Sequence, residues 1–253
     1  MADLVYPPVI AIGRTLFAAL GLRFTITGAE NIPVTGGAVL ASNHVSYLDF
    51  TFVGLAALPR KRYVRFMAKE AVFRHRVSGP LMRGMKHIPV DRSAGAAAYA
   101  AALRALRGGE LIGVFPEATI SRSFTVKECK SGAARMAQAA RVPLIPIALW
   151  GGQRIYTKDH PRDLSRGKAI TIAVGEPLEA KPTDDTAEVN AELHRRMSAL
   201  LEEAQLTYPD KPEGDDDRWW LPAHLGGTAP TPEEAQRLDA EEAAARRRRR
   251  ESR

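Results

Sequence analysis

Short apolar runs recur along the chain between longer stretches of helical spacing. Residues 23–27, 38–41, 63–68, 87–90, 111–115, 144–149 and 169–174 have the length and side-chain types of strands. Between them, 47–58, 94–107, 132–140 and 186–204 carry apolar residues at helical spacing. Ser93 ahead of the second of these and Gly108-Gly109 behind it are start and stop signals. Strands alternating with helices predict an α/β sheet covered by helices on both faces. At the beginning of the chain, residues 4–20 are apolar with Arg14 inside them. They predict a short helix, interrupted early by Pro7 and Pro8, that lies at a membrane interface or else packs on the core. From Pro209 the composition shifts to Pro, Gly and Asp clusters, an isolated Trp219-Trp220 pair and a Glu/Ala segment ending in Arg246 to Arg250. This predicts a mostly extended tail with a short terminal helix. The expected division is an interfacial helix over 1–22, one main domain over 23–208 and a flexible tail with a basic end over 209–253.

Composition narrows the classes. A chain of 253 residues, 45% hydrophobic and 26% charged, buries a substantial core and is not disordered, collagen-like or coiled-coil as a whole. No uncharged stretch approaches the roughly 20 apolar residues of a spanning helix. The single cysteine, Cys129, excludes an intrachain disulfide and a zinc site of several thiolates, and fits a reducing cytosolic compartment. The net charge of +7 implies an anionic partner: nucleic acid, an acidic membrane surface or a phosphorylated substrate. Residues 1–208 hold 27 basic and 18 acidic side chains, and 209–253 hold 9 and 11, so the surplus belongs to the main domain. Ten basic residues fall between Arg60 and Arg92 against only Glu70 and Asp91. That segment has no clear recognition helix, zinc motif or stacking platform, and aromatic content is 7%, so nucleic acid is the weaker reading.

Four stretches carry candidate chemistry. In NHVSYLDF (43–50), His44 and Asp49 would lie about 140° apart on a continuous helix. They meet if His44 sits in the turn before the helix and Asp49 points back from its first turn. A carboxylate on one ring nitrogen fixes the tautomer and steadies the imidazolium formed at the other, which is the base half of a serine-protease arrangement without the nucleophile. The same residues also read as a capping box from Ser46 to Asp49, with His44 satisfying a buried backbone group. In LIGVFPEATISRS (111–123), a strand runs into Glu117 with Thr119, Ser121 and Arg122 close by. This is the strand end where ligands gather in open α/β sheets, although Glu117 as a turn cap and Arg122 as a solvated charge is the commoner outcome. KHIPVDR (86–92) puts Arg92 at a strand end suited to phosphate, or Asp91 as a plain helix cap. In VPLIP (142–146) two prolines flank an apolar strand, which reads as an edge strand or the wall of a pocket.

As a set, in order and spacing, the four resemble the blocks of the glycerolipid acyltransferases: Asn-His-x4-Asp, x-Ile-x-x-Asp-Arg, Phe-Pro-Glu-Gly-Thr and the closing Val-Pro. The resemblance spans roughly 27–174 and is strongest to the bacterial 1-acylglycerol-3-phosphate acyltransferases. It implies a single mixed sheet flanked by helices, of the glycerol-3-phosphate acyltransferase type, with the short interfacial helix and the extended tail as appendages. It further implies a cytoplasmic-face enzyme, peripheral or monotopic, that docks on anionic membrane through the basic patch. The donor would be a thioester of coenzyme A or of acyl carrier protein, and the acceptor the lysophospholipid 1-acylglycerol-3-phosphate, whose free hydroxyl is acylated to give phosphatidic acid. Glycerol-3-phosphate or another lysophospholipid is the alternative acceptor, and a basic membrane- or nucleic-acid-binding module is the alternative class. No cofactor and no metal are implied. His44 would be the general base and Asp49 its orienting partner, with no acyl-enzyme because the thioester is already activated. Glu117 would position the acceptor through a glycerol hydroxyl or neighbouring loop groups. Where the family's third block reads Gly-Thr-Arg, this chain has Ala118, Thr119 and Ile120. The phosphate-binding arginine is therefore expected at Arg122, beside Thr119, with Arg92 and Lys69 completing an anion pocket. Ser46 is expected to cap the helix and Cys129 to take no part in catalysis.

Overall fold

The computed structural model of the chain describes residues 3–90 and 95–251. The expected roles of Arg92 and Ser93 lie outside the described residues. Within them, β1 (Arg23–Thr27), β2 (Ala38–Ser42), β3 (Val64–Lys69), β4 (Ile88–Val90), β5 (Leu111–Val114), β6 (Leu144–Trp150) and β7 (Ala169–Val174) form one sheet in the order β1-β7-β6-β2-β5-β3-β4. The β6–β7 pair is antiparallel and the other pairs are parallel, so the sheet is mixed, as the family resemblance implies. The helices are α1 (Tyr6–Ala19), α2 (Asp49–Ala57), α3 (Glu70–Arg74), α4 (Ser78–Gly84), α5 (Gly95–Arg107), α6 (Gly132–Ala140), α7 (Thr186–Leu206) and α8 (Pro232–Glu251).

Alternation along the central strand shows why both faces are covered. Ala38 and Leu40 join one buried cluster with Phe52, Val53 and Ala56 of α2. Val39 and Ala41 point the other way and join a second cluster with Ala102 of α5, Ala134 of α6 and Leu193 of α7. A parallel strand buried on both faces is apolar throughout, which is the signature of residues 38–41 in the sequence.

Four expectations are corrected. First, Pro7 and Pro8 do not interrupt the first helix. They occupy its opening turn, where the amide they lack has no partner to lose. Second, β6 is an interior strand between β2 and β7 rather than an edge. Leu144 N–H points to Leu178, so the missing N–H of Pro146, two residues on, faces the same side, before the β7 ladder begins at Ile147. Third, the segment after Pro209 packs on the domain instead of running extended. Trp220 is 1% exposed, meets Tyr208 edge-on and takes the Arg154 guanidinium over its ring, while Trp219 stacks on His160. The aromatic pair brings enough apolar area to order a polar segment. The terminal helix is then twenty residues long and starts on a capping box, with Thr231 and Glu234 exchanging side-chain and backbone hydrogen bonds. Fourth, the basic patch is divided. Arg65, 2% exposed, is held by Asp3 and Glu110, and Arg60 and Arg62 donate to the carbonyls of Ile32, Pro33, Gly36 and Gly109. Lys61, Lys69, Arg74, Arg76, Arg83 and Lys86 are its exposed members.

Candidate active site

The loops that leave the carboxyl ends of β2, β5 and β6, three adjacent strands, converge in one place. Asn43 begins the construction. Its Nδ2 donates to the Leu149 carbonyl at 3.0 Å and its Oδ1 accepts from Leu149 N–H at 2.7 Å, so a side chain continues the β2–β6 pairing while the main chain turns away. His44 follows in that turn, and Asp49 opens α2 and points back at it. Asp49 Oδ2 accepts from His44 Nδ1 at 2.9 Å, from Val45 N–H at 2.7 Å and from Ser46 N–H at 2.8 Å. A five-residue separation thus closes across a turn, where a continuous helix would have held the two apart. Burial raises the Asp49 carboxyl above its ordinary range, against these donors, which favour the anion. Because Oδ2 is an acceptor, Nδ1 carries the proton and Nε2 presents a lone pair. The His44 side chain is 21% exposed and that of Asp49 is 0%, so the pair opens to solvent only at the ring.

The loop after β5 holds His44 from the other side. Glu117, 5% exposed, accepts from His44 N–H through Oε1 at 2.9 Å and from Lys127 N–H through Oε2 at 3.1 Å. Ser121 N–H donates to the His44 carbonyl at 2.7 Å, and the Phe115 ring stacks on the imidazole with centroids 4.3 Å apart. Both carboxylate oxygens of Glu117 therefore meet loop amides. Burial pushes its carboxyl up to about 8. In the same loop Ala118 is left-handed at φ 61°, which costs an L-residue about 1–2 kcal/mol and which a glycine there would escape. Ile120 is 3% exposed, so the side chain at the position where the family block has arginine points into the core. Behind the His44 turn, β6 runs into Gly151 and Gly152, and a Cβ on Gly152 would lie 3.0 Å from that of Ser46.

Neither hydroxyl nor thiol near the pair is set up as a nucleophile. Ser46 is fully buried, donates to the Tyr156 carbonyl at 2.8 Å and accepts from Leu48 N–H at 3.1 Å. Contrary to expectation, Ser46 is not the N-cap of α2, which is Leu48 without a side-chain cap; Ser46 braces the preceding turn, and Asp49 accepts from its N–H. Cys129 is buried, and its thiol is pushed up to about 12 by burial and by Glu117 and Glu128, so it is not a thiolate. Among the described residues, no group of three or more His, Cys, Asp and Glu side chains is placed to hold a metal ion.

Thr119 and Arg122 stand in the same loop but belong to a cluster that the sequence did not reveal. Lys158, from the segment after β6, donates to Thr119 Oγ1 at 2.7 Å. Arg122, with a side chain 9% exposed, donates to Asp159 at 2.6 Å and pairs with Asp239 and with Glu242, the latter at 3.1 Å. Lys127 pairs with Asp239, and Lys158 pairs with Asp239 and Glu242 at 3.3 and 3.2 Å. The cations that share the carboxylate partners of Arg122 are thus Lys127 and Lys158. Lys69 stands at the exposed carboxyl end of β3, across β5 from β2. No spacing rule links residues 119, 127 and 158, which only the fold brings together.

An apolar groove lies between α1 and α2, lined by Tyr6, Val9, Phe17, Leu55 and Phe66 among others. Gly13 and Gly54 border it, and a Cβ on either would meet nothing within 4 Å. Phe66 on its wall stacks at 6.3 Å on the Phe115 ring that covers His44, so the Phe115 ring stands between the groove and the imidazole.

A histidine held by a buried carboxylate thus lies beyond the central strands of a mixed α/β sheet. The acyltransferase family model matches residues 23–150, half of the chain, and the chain belongs to that family. It is an O-acyltransferase, similar to two bacterial proteins named 1-acyl-sn-glycerol-3-phosphate acyltransferase. That of Bacillus subtilis is 31% identical over 153 residues, which is 59% of this chain and 70% of that one. That of Borreliella burgdorferi is 29% identical over 143 residues, 55% of this chain and 56% of that one. The fold is that of the 1-acyl-sn-glycerophosphate acyltransferase PlsC of Thermotoga maritima, with a TM-score of 0.69, 21% identity and 81% of each chain covered.

Proposed function

We propose that the chain transfers an acyl group from a thioester of coenzyme A or acyl carrier protein to the free hydroxyl of 1-acylglycerol-3-phosphate, giving phosphatidic acid. The observation that carries this reading is the buried Asp49 fixing His44 so that Nε2 is the one ring atom free to take a proton. In the reaction Nε2 removes the acceptor's hydroxyl proton while the oxygen adds to the thioester carbonyl. The C–S bond then breaks, and the leaving thiolate recovers the proton from the imidazolium that Asp49 has stabilised. No acyl-enzyme forms and no cofactor is required, because the thioester arrives activated. The groove between α1 and α2 takes an acyl chain. Arg122 and Thr119 take the acceptor phosphate.

Docking on the cytoplasmic face of an anionic membrane completes the proposal. Ile12 and Leu16 of α1 are 62% and 59% exposed and Val77 beside α4 is 69% exposed, with the exposed Arg14 between the first two in the chain and the exposed Arg74, Arg76 and Arg83 flanking Val77 in the chain. Such a mixture of apolar and cationic side chains suits a bilayer interface, each cation contributing about 1 kcal/mol near anionic lipid. No helix among the described residues is long and apolar enough to cross a membrane.

The acceptor is tested by acyl transfer from oleoyl-CoA to lysophosphatidate, glycerol-3-phosphate and lysophosphatidylcholine in parallel. The highest kcat/KM is expected for lysophosphatidate. A preference for either of the other two would overturn the acceptor assignment and leave the base assignment standing.

A further inference from the structure

We propose that α8 is a built-in competitor of the acceptor: its Asp239 and Glu242 occupy an anion site formed by Arg122, Lys127, Lys158 and Thr119, and the acceptor phosphate binds only when they leave. This rests on the acceptor reading above and adds to it two phosphate ligands, Lys127 and Lys158, and a means of control.

Charge and chemistry support it. Three cations within reach of one another are answered by three carboxylates, Asp159, Asp239 and Glu242, so the cluster is neutral with α8 seated. Two of the three carboxylates come from α8. Without it, the cations and Asp159 leave an excess of two positive charges, which matches the roughly −1.5 to −2 of a phosphate monoester at neutral pH. The donors fit as well: a guanidinium, two ammonium groups and a hydroxyl face one spot, and the hydroxyl already receives a proton from Lys158 at 2.7 Å. A carboxylate pair is the nearest mimic of a phosphate that a protein can supply.

The spot also adjoins the chemistry. Thr119 and Arg122 lie in the loop whose Glu117 and Ser121 hold both backbone groups of His44. Lys127 offers its amide to the other oxygen of Glu117. A phosphate bound there would bring a glycerol hydroxyl toward the imidazole.

The attachment of α8 is of the kind that yields. A helix seated for structural reasons buries an apolar stripe. Of the side chains described in α8, Ala235 alone is buried, and Glu233, Glu234, Arg237, Glu241 and Arg246 are exposed. What holds its middle to the domain is the set of ion pairs to Arg122, Lys127 and Lys158. A site built of charged donors exchanges one anion for another that brings the same charge, whereas a packed apolar face does not.

The test uses the full-length protein and the double variant Asp239→Asn/Glu242→Gln, which keeps the size and polarity of both side chains. Acceptor KM is measured with lysophosphatidate in neutral detergent at saturating oleoyl-CoA, and the dissociation constant of glycerol-3-phosphate by calorimetry without a donor. If α8 covers the site nine-tenths of the time, removing its charge lowers both constants about tenfold. Lys158→Met is expected to raise both. Unchanged or raised constants in the double variant overturn the competition, because the carboxylates would then be bystanders or ligands in their own right. Unchanged constants in Lys158→Met overturn the site. Failure of the acceptor reading looks different: wild type would then make no product from lysophosphatidate at all, while the calorimetric shift would still report whether α8 and a phosphate compete.

Discussion

Replacing His44 with alanine is expected to lower kcat by about 10² to 10⁴, the range of a lost general base, with the acceptor KM little changed. In the proposed mechanism the ring does chemistry that no neighbour can assume. Ser46 is committed to Tyr156 and Leu48, Cys129 holds its proton, and Glu117 is sealed behind two amides. Asp49 keeps its bonds from Val45 and Ser46 when the imidazole is gone, so the turn retains two of its three ties and the protein should fold. The measurement is steady-state kinetics on variant protein whose circular dichroism matches wild type. A loss of less than tenfold would move the base elsewhere.

Glu117→Gln is expected to destabilise the protein and to slow it. The neutral carboxyl keeps lone pairs on both oxygens, whereas a glutamine amide accepts only through its oxygen, so its NH₂ must face the amide of His44 or of Lys127. A buried donor left without a partner costs about 1–3 kcal/mol. The His44 loop is then held at one point fewer, and kcat should fall although Glu117 never touches substrate. The pH dependence separates this from a plain packing defect. Glu117 titrates near 8 in the folded protein, against an ordinary value of 4.5. Between those values the folded state keeps a proton that the unfolded chain has lost, so the contribution of this site to stability falls as pH rises through that window and is level above it. Glutamine carries no such proton. Melting temperatures from pH 5 to pH 8 should therefore fall more steeply in wild type than in Glu117→Gln, and parallel profiles would contradict the buried, proton-holding carboxyl.

What the sequence revealed and what it hid follow from the range of the interactions involved. Strand positions were legible from local pattern, alternating in the edge strand β1 and almost wholly apolar in β7, and residues 23–27 and 169–174 match those strands at both ends. The closure between His44 and Asp49 was legible because it is local, set by a strand ending one residue before Asn43 and a helix starting at Asp49. Edge or interior placement of β6 was not, since proline usually marks an edge, and here its missing donor falls where the neighbouring ladder has not begun. The packed C-terminal segment was hidden for a related reason: its polar composition reads as solvated until the surfaces that receive Trp220, Asp239 and Glu242 are known. Arg122 stood out in the chain as a candidate, but Lys127 and Lys158 gather beside it from separate loops and leave no period or motif.

Direct transfer without a covalent intermediate is the step on which the account depends. Wild-type protein is mixed with oleoyl-CoA labelled in the acyl group, quenched within a single turnover, and analysed for label on the protein and in lipid, with and without lysophosphatidate. The account predicts label in phosphatidic acid only when acceptor is present, and none on the protein in either case. Label that accumulates on the protein without acceptor and passes to lipid when acceptor is added would contradict it, and would require a nucleophile that the surroundings of His44 do not provide.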